Sequence, residues 1–373
     1  MKHFWLIFLF VLFCGFSFAQ PCPEHISFQI QSQIDNFSTD YPDCTEIEGD
    51  VRIGHFMSGT GMNDLSGLSQ ITTISGDLTI QNTSATNLTG LENLESVGGS
   101  ISIRSNWDLQ TIDALSNLES VGGQYLIIQH NLFLEDMKAF EYTDFQLNYV
   151  SITYNNELTD LDGLQGIKSV NGDLAITDNS SLTSLAGLDS LKSVSNYLAI
   201  SRNAALTEIT SLNIDTIGEL RIVNNDTLTN LEGLNNVNFS STNYMLILRN
   251  DLLSVCNISS ICNYIENGGD ARIEDNADGC NSVEEVTALC LVSNDTVEFD
   301  DDISIFPNPN TGLFNIKGVS KGSYTIHNTA GQLIQKGELT NDMFINISSE
   351  QSGIYFISMT VNDKFVKRRI LKI

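Results

Sequence analysis

One spacing limits what this chain can fold into more than any other feature. An Asn follows a short apolar strand pattern again and again, at Asn82, Asn106, Asn131, Asn155, Asn179, Asn203, Asn225, Asn250 and Asn276, with gaps of 24, 25, 24, 24, 24, 22, 25 and 26 residues. A fixed period in the twenties, sustained over nine copies, specifies stacked coils in which each unit buries its apolar face against the next. The most regular copy is Gly172 to Ser195. Leu174 and Ile176 alternate as the inward side of a strand, and after Asn179 come Leu182, Leu185, Leu188 and Leu191, closing on Val194. A period of three suits a 3₁₀-like or extended segment better than an α-helix.

The inward pairs recur at Leu78/Ile80, Ile101/Ile103, Leu126/Ile128, Leu198/Ile200 and Leu220/Ile222. Strands stacked in this way satisfy their backbones between coils, at about 4.8 Å per step. The turn that follows each strand is buried, and its amides and carbonyls need partners. An Asn side chain supplies both a donor and an acceptor, so the Asn column reads as structural. Glycines at Gly76, Gly98-Gly99, Gly122-Gly123 and Gly172 mark the corner leading back into each strand.

The pattern G-x-L-x-I-x-x-N-x-x-L-x-x-L-x-G-L-x-x-L-x-S-V, clearest at 172–195, resembles leucine-rich repeats, and more closely the receptor L-domain type of β-helix. The resemblance spans about Glu48 to Cys290. It implies a mainly β chain: a right-handed, L-domain-like solenoid of about nine coils with stapled caps. The first copy departs from it, lacking the Asn and carrying an insert from Phe56 to Met62, and the Asn82 copy is one residue shorter in its turn.

Cysteines flank the repeats. Cys22 and Cys44 precede them; Cys256, Cys262, Cys280 and Cys290 close them. With Cys14 inside the expected signal segment set aside, six remain, and an even number in an exported chain reads as disulfides. A Cys22–Cys44 bridge closes a loop worth about 3 kcal/mol in the chain-entropy model and staples the exposed first coil. Three connectivities are open to the last four cysteines, of which Cys256–Cys280 with Cys262–Cys290 is preferred. Zinc lacks a C-x-x-C pair or a neighbouring His. A short amphipathic helix is expected between Cys22 and Cys44, from Ile30, Ile34 and Phe37, and a second opens with the capping-box spacing of Ser282 and Glu285.

Export is expected from residues 1–19. Lys2 is followed by an apolar run from Phe4 to Phe18, and Ser17-Phe18-Ala19 offers small residues at a cleavage site. No further run is long enough to span a membrane. The expected organisation is therefore a signal peptide (1–19), an N-terminal cap (20–47), the solenoid with its C-terminal cap (48–292), an acidic linker (293–302, beginning SNDTVEFDDD) and a small all-β sandwich (303–373).

The last segment carries FPNPNTGLFNI (306–316), YTIHNTAGQLIQKG (324–337) and SGIYFISM (352–359), with Lys367, Arg368, Arg369 and Lys372 near its end. It resembles the C-terminal sorting domain of the type IX secretion system of Bacteroidetes. That resemblance implies the secretion machinery as a partner and delivery to the cell surface or the exterior.

Catalytic chemistry finds no foothold. The five histidines, His3, His25, His55, His130 and His327, share no partner set, and Gly-x-Ser-x-Gly, H-E-x-x-H and phosphate-loop motifs are absent. No cofactor, metal or catalytic residue is assigned, and the chain reads as a non-enzyme. A formal charge of −28 disfavours nucleic acid and anionic lipid. Recognition falls to residues that alternate with the inward pairs. In the central coils these are small (Ala175, Thr177, Ala199, Ser201); on the flanks they are Tyr125, Ile127, Arg221, Tyr244, Leu246 and Leu248. Aromatic and Arg side chains are common interface anchors. The expected function is thus binding of a protein or glycan through the sheet face, with a ligand-free structural rod as the alternative.

Overall fold

The computed structural model describes residues 20–55, 61–293, 303–319, 321–328, 332–340, 343–361 and 364–373. The expected signal peptide, most of the Phe56–Met62 insert and nearly all of the acidic linker lie outside the described residues. Contacts divide the chain into two units, Met1–Val283 and Glu284–Ile373, a division that falls inside the helix Val283–Ser293.

The first unit is a β-solenoid. Eleven parallel strands form one sheet in chain order: Ile26–Phe28, Val51–Ile53, Leu78–Gln81, Ile101–Arg104, Tyr125–Gln129, Leu147–Thr153, Ser169–Thr177, Ser193–Ser201, Thr216–Val223, Tyr244–Leu248 and Ala271–Glu274. The register is constant, so that Leu174, Leu198 and Leu220 stand in one row and Ile176, Ile200 and Ile222 in the next. These rows are fully buried, as are Leu182, Leu185, Leu188 and Leu191 behind them. Two of the eleven strands precede the first Asn-bearing coil, and the first lies in the segment read as a cap. Five two-residue strands, from Glu46–Ile47 to Asp144–Phe145, make a second parallel sheet. In the central coils that second strand runs on into the main one, giving strands of nine residues such as Ser169–Thr177.

The period-three leucines fold partly as 3₁₀ turns, among them Ser66–Leu68, Asp113–Leu115 and Glu232–Leu234. Gly187 shows why the turn needs glycine: its φ is +102°, and a Cβ there would run into the carbonyl oxygen of Leu161 in the preceding coil.

The Asn column is a continuous hydrogen-bond ladder. Asn155 donates from its backbone N–H (3.0 Å) and from Nδ2 (3.3 Å) to Oδ1 of Asn179, and Asn179 does the same to Asn203. Each Nδ2 also donates to a strand carbonyl of the preceding coil, as Asn179 does to Ile152 at 2.9 Å. Every amide thus accepts two bonds and donates two, which uses its full capacity in a fully buried turn. Asn276 ends the series by donating to Cys280 O at 3.0 Å.

Asn82 is not a rung of this ladder, which corrects the sequence reading. In each coil the residue before the rung is left-handed: Ser105, His130, Tyr154, Asp178, Arg202, Asn224, Arg249 and Asp275 all have φ between 55° and 59°. Asn82 has φ 51° and belongs to that position. Thr83 takes the rung, donating from its N–H (3.1 Å) and Oγ1 (2.9 Å) to Asn106 Oδ1. Asn tolerates the left-handed region better than most residues, and here that preference places it one residue early. Its Nδ2 bonds His55 O at 2.8 Å.

At the N-terminal end, Gln31–Asp35 forms a short helix that buries Ile34 and leaves Ile30 exposed. Cys22 is bonded to Cys44, with Cα atoms 5.0 Å apart, and Cys256 to Cys280, 5.3 Å apart. Cys262 and Cys290 are also disulfide-bonded.

The second unit holds two antiparallel sheets. One has three strands (Ser304–Phe306, Leu313–Lys317, Met343–Asn346) and the other four (Lys321–Asn328, Leu333–Thr340, Gly353–Val361, Lys364–Lys372). Phe314, Ile316, Tyr324, Ile326, Ile357 and Ile370 are among the residues of their common core. The Pro-Asn-Pro-Asn segment is tied to the last strand: Asn308 Nδ2 donates to Arg369 O at 2.7 Å, and Asn310 N to Leu371 O at 2.8 Å.

Candidate functional site

Outward residues of the main sheet form rows across it. The six predicted binding residues fall on this face in two groups. Tyr125 and Ile127 stand on the strand Tyr125–Gln129; Arg221, Tyr244, Leu246 and Leu248 stand on the strands Thr216–Val223 and Tyr244–Leu248. Three strands separate the groups, which at the usual spacing is about 19 Å. Between them the outward residues Ser151, Ala175, Ala199 and Ser201 are buried, contrary to the expectation that Ala175 and its counterparts are open for recognition. A small side chain in a tightly stacked sheet lies below the level of its neighbours.

On the C-terminal flank, charge is matched locally. Arg221 Nε donates to Glu219 Oε1 at 2.6 Å, two residues away on the same side of the strand, and its guanidinium sits 5.1 Å from the centroid of the Tyr197 ring. Arg272 pairs with Glu274 in the same i, i+2 arrangement. Tyr244, Leu246 and Leu248 are half-buried beside them.

The N-terminal flank is a shallow depression of about 450 Å³, lined by residues that include His25, Ser27, Arg52, Thr79, Ser102, Arg104, Tyr125 and Ile127. The Tyr125 hydroxyl donates to Asp77 Oδ2 at 2.8 Å, and this bond to a carboxylate holds the phenol's pKa above its ordinary value, with burial adding to the shift. Asp77 Oδ1 accepts from Ser100 N at 2.7 Å. Arg104 Nε donates to the neutral Gln81 Oε1 at 3.2 Å.

A third feature escaped the sequence reading. At the left-handed corner rings from successive coils meet: His130 stacks on Tyr154, 4.5 Å away with planes 10° apart, and Trp107, just beyond the corner of its own coil, lies tilted 6.5 Å from His130. Trp107 (46% exposed), Tyr154 (41%) and nearby Phe133 (52%) form an exposed aromatic ridge. It passes into an ion pair, Arg202 to Asp178 at 2.6 Å, which raises the arginine's pKa. His130 and Tyr154 each stand one residue before a rung Asn and Trp107 one residue after one, but their approach becomes visible only with the register of the coils.

A separate hollow of about 570 Å³ lies between Asn235–Thr242 and the helix Ser259–Glu266. Its lining is Asn, Ser, Thr, Gly, Val, Phe and Tyr, with no charged side chain to act as acid or base. Among the described residues no group of three or more His, Cys, Asp or Glu is placed to hold a metal ion. No helix among them is long and apolar enough to cross a membrane.

Comparison with known families agrees with this geometry. Residues 43–134 match the receptor L domain family, and residues 304–372 match the secretion system C-terminal sorting domain family. The class is therefore that of an L-domain-like repeat protein with a type IX sorting domain behind it, and neither family is a catalytic kind. The L-domain match stops at 134, whereas the same ladder continues to Asn276. The sorting domain indicates passage through the type IX machinery to the cell surface or exterior. No curated protein matches the chain.

Proposed function

We propose that the solenoid is a non-catalytic recognition module, delivered to the outside of the cell by the sorting domain, that binds a macromolecule through the outer face of its main sheet. One observation carries this reading. The six arginines between residues 20 and 283 are Arg52, Arg104, Arg202, Arg221, Arg249 and Arg272, and all stand on the outer sheet face or at the left-handed corner bordering it. The lysines of the same region, Lys138, Lys168 and Lys192, do not. In a chain with 46 acidic residues, such segregation puts the fork-shaped donors preferred by interfaces on one side.

The domain limits implied are a cap over 20–47, a solenoid to 292 and the sorting domain from 303. The test is binding of the full secreted chain to surface and matrix material from its surroundings, before and after a combined Tyr244→Ala, Leu246→Ala, Arg221→Ala change. Loss of binding with an unchanged melting temperature supports the reading; retention of every interaction removes it. A rod without a ligand is the second reading, favoured by the flat run of buried Ser151, Ala175 and Ala199 across the centre of the face.

A further inference from the structure

The depression on the N-terminal flank combines two observations that the sheet-face reading does not require. The first is a row of hydroxyls and a guanidinium in strict register: Ser27, Arg52, Thr79, Ser102 and Ile127 are successive partners across five strands. The second is a set of unused donors. Ser102 is 97% buried (3% exposed), and its Oγ has no hydrogen-bond partner. Gln81, equally buried, has an unpartnered Nε2. Its orientation is fixed, because Oε1 must face the Arg104 guanidinium from which it accepts. Arg104 makes no ion pair with any described residue, unlike Arg202, Arg221, Arg249 and Arg272.

Thr79 and Gln81 stand beside Ser102 and Arg104 as a two-by-two block on adjacent strands. Cross-strand neighbours in such a block lie about 5 Å apart. Buried polar atoms without partners are rare in folded proteins and call for a ligand, water or ion. Ser102 Oγ and Gln81 Nε2 are such atoms, and the half-buried Arg104 beside them keeps guanidinium donors without an ionic partner among the described residues; all three can donate, which an acceptor would satisfy. A carboxylate matches the guanidinium in shape as well as charge.

We infer that this depression binds a uronic-acid residue of a glycan, with the carboxylate at Arg104, which the buried Gln81 holds in place, and the ring hydroxyls over Ser27, Thr79 and Ser102. The inference rests on the sheet-face reading and names its ligand class. An acidic peptide is the poorer fit. The floor offers three hydroxyls and the Arg52 guanidinium in register, and the one apolar side chain of the row is Ile127, at its end. Asp50 and Asp77 on the rim are engaged: Asp50 Oδ1 accepts from Asp77 N (2.9 Å), and Asp77 bonds Ser100 and Tyr125. The chain's net charge of −28 opposes an anion at long range, but at about 0.15 M salt that field is screened beyond about 8 Å, while the donors act at contact.

The experiment is calorimetric titration of the full chain, at about 0.15 M salt, with three probes: an oligogalacturonate, the neutral galactose oligomer of the same length and a glutamate peptide. The expected result is heat of binding for the oligogalacturonate alone. Arg104→Met weakens it by about tenfold or more through loss of a charge-assisted fork. Ser102→Ala, a change too small to disturb the coil, weakens it by about threefold to tenfold. Arg221→Met, on the other flank, leaves it unchanged. Absence of binding to the unaltered chain, equal binding after both Arg104→Met and Ser102→Ala, or a glutamate peptide that binds as well as the uronate would each overturn the assignment. If adhesion still depends on Tyr244 and Leu246 while the uronate fails, the ligand is wrong and the sheet-face reading survives. If both fail, the face itself is wrong.

Discussion

The two flanks of one sheet face treat arginine in opposite ways. On the C-terminal side, Arg221 and Arg272 each find a glutamate two residues along their own strand, and Arg249 lies 3.7 Å from Asp275 in the next coil. On the N-terminal side, Arg104 rests against the uncharged Gln81. A paired guanidinium has its fork occupied and contributes a flat, largely neutral surface; beside Tyr244, Leu246 and Leu248 it suits contact by shape. An arginine held by an amide keeps its charge and most of its donors. The same residue type, on the same backbone, therefore serves packing at one end and ionic recognition at the other.

Both flanks hang on the Asn ladder, so the largest expected effect comes from cutting it between them. Asn179→Ala removes the acceptor for two donors of Asn155 and the donor to Ile152 O. Orphaned buried groups cost about 1–3 kcal/mol each, so a loss of about 3 kcal/mol or more is expected in denaturant unfolding. Thr83→Ala, at the ladder's N-terminal end, should cost about 1 kcal/mol. Equal losses at the two positions would contradict the difference in hydrogen bonds that each side chain makes.

A smaller effect sharpens the contrast in binding. Leu246→Ala should weaken adhesion of the full chain by about tenfold, in the range of interface anchors, without altering any uronate titration at the other flank. Cross-talk would show that the flanks form a single site.

Tyr125→Phe probes the N-terminal flank by pH. The phenol's pKa is raised by its bond to Asp77 and by burial. A raised pKa in the folded state favours the protonated form, so its contribution is fully present below the unfolded value of about 10 and is lost as pH rises beyond it. The unaltered chain should lose stability relative to Tyr125→Phe in thermal melts on going from pH 9 to pH 11 (about one unit either side of that value). A constant difference across that range would contradict the Asp77 bond.

The smallest effect is expected for Arg221→Ala. The pair it breaks is 45% exposed on the arginine side, and exposed pairs contribute about 0–1 kcal/mol. A melting temperature within a degree or two of the parent would agree with a role in contact rather than in stability.

Much of this architecture is legible in the sequence because the period repeats: the rows Leu174/Leu198/Leu220 and Ile176/Ile200/Ile222 follow from spacing alone. The rungs are legible too, apart from Asn82. There the identity of the residue misleads, since Asn serves equally well in the left-handed position, and only backbone φ separates the two roles. The strand Met343–Asn346 is not legible in the sequence, because its four residues, MFIN, carry too little alternation to stand out. The aromatic ridge and the unused donors of the N-terminal flank were hidden for another reason. His130 and Tyr154, or Gln81 and Arg104, are 24 and 23 residues apart in the chain and become neighbours only when coils stack in a fixed register.

The ladder has direction as well as continuity. Each rung gives two protons forward and receives two from behind, so every internal coil presents the same accepting face to its predecessor and the same donating face to its successor. An added or deleted coil would meet identical partners on both sides and leave the two ends intact. Coil number thus acts as a ruler: the gap between the uronate-binding depression and the Tyr244 flank can change only in increments of one strand, about 4.8 Å. A surface protein built in this way can be fitted to a repeating polymer outside the cell by counting, without redesigning either grip.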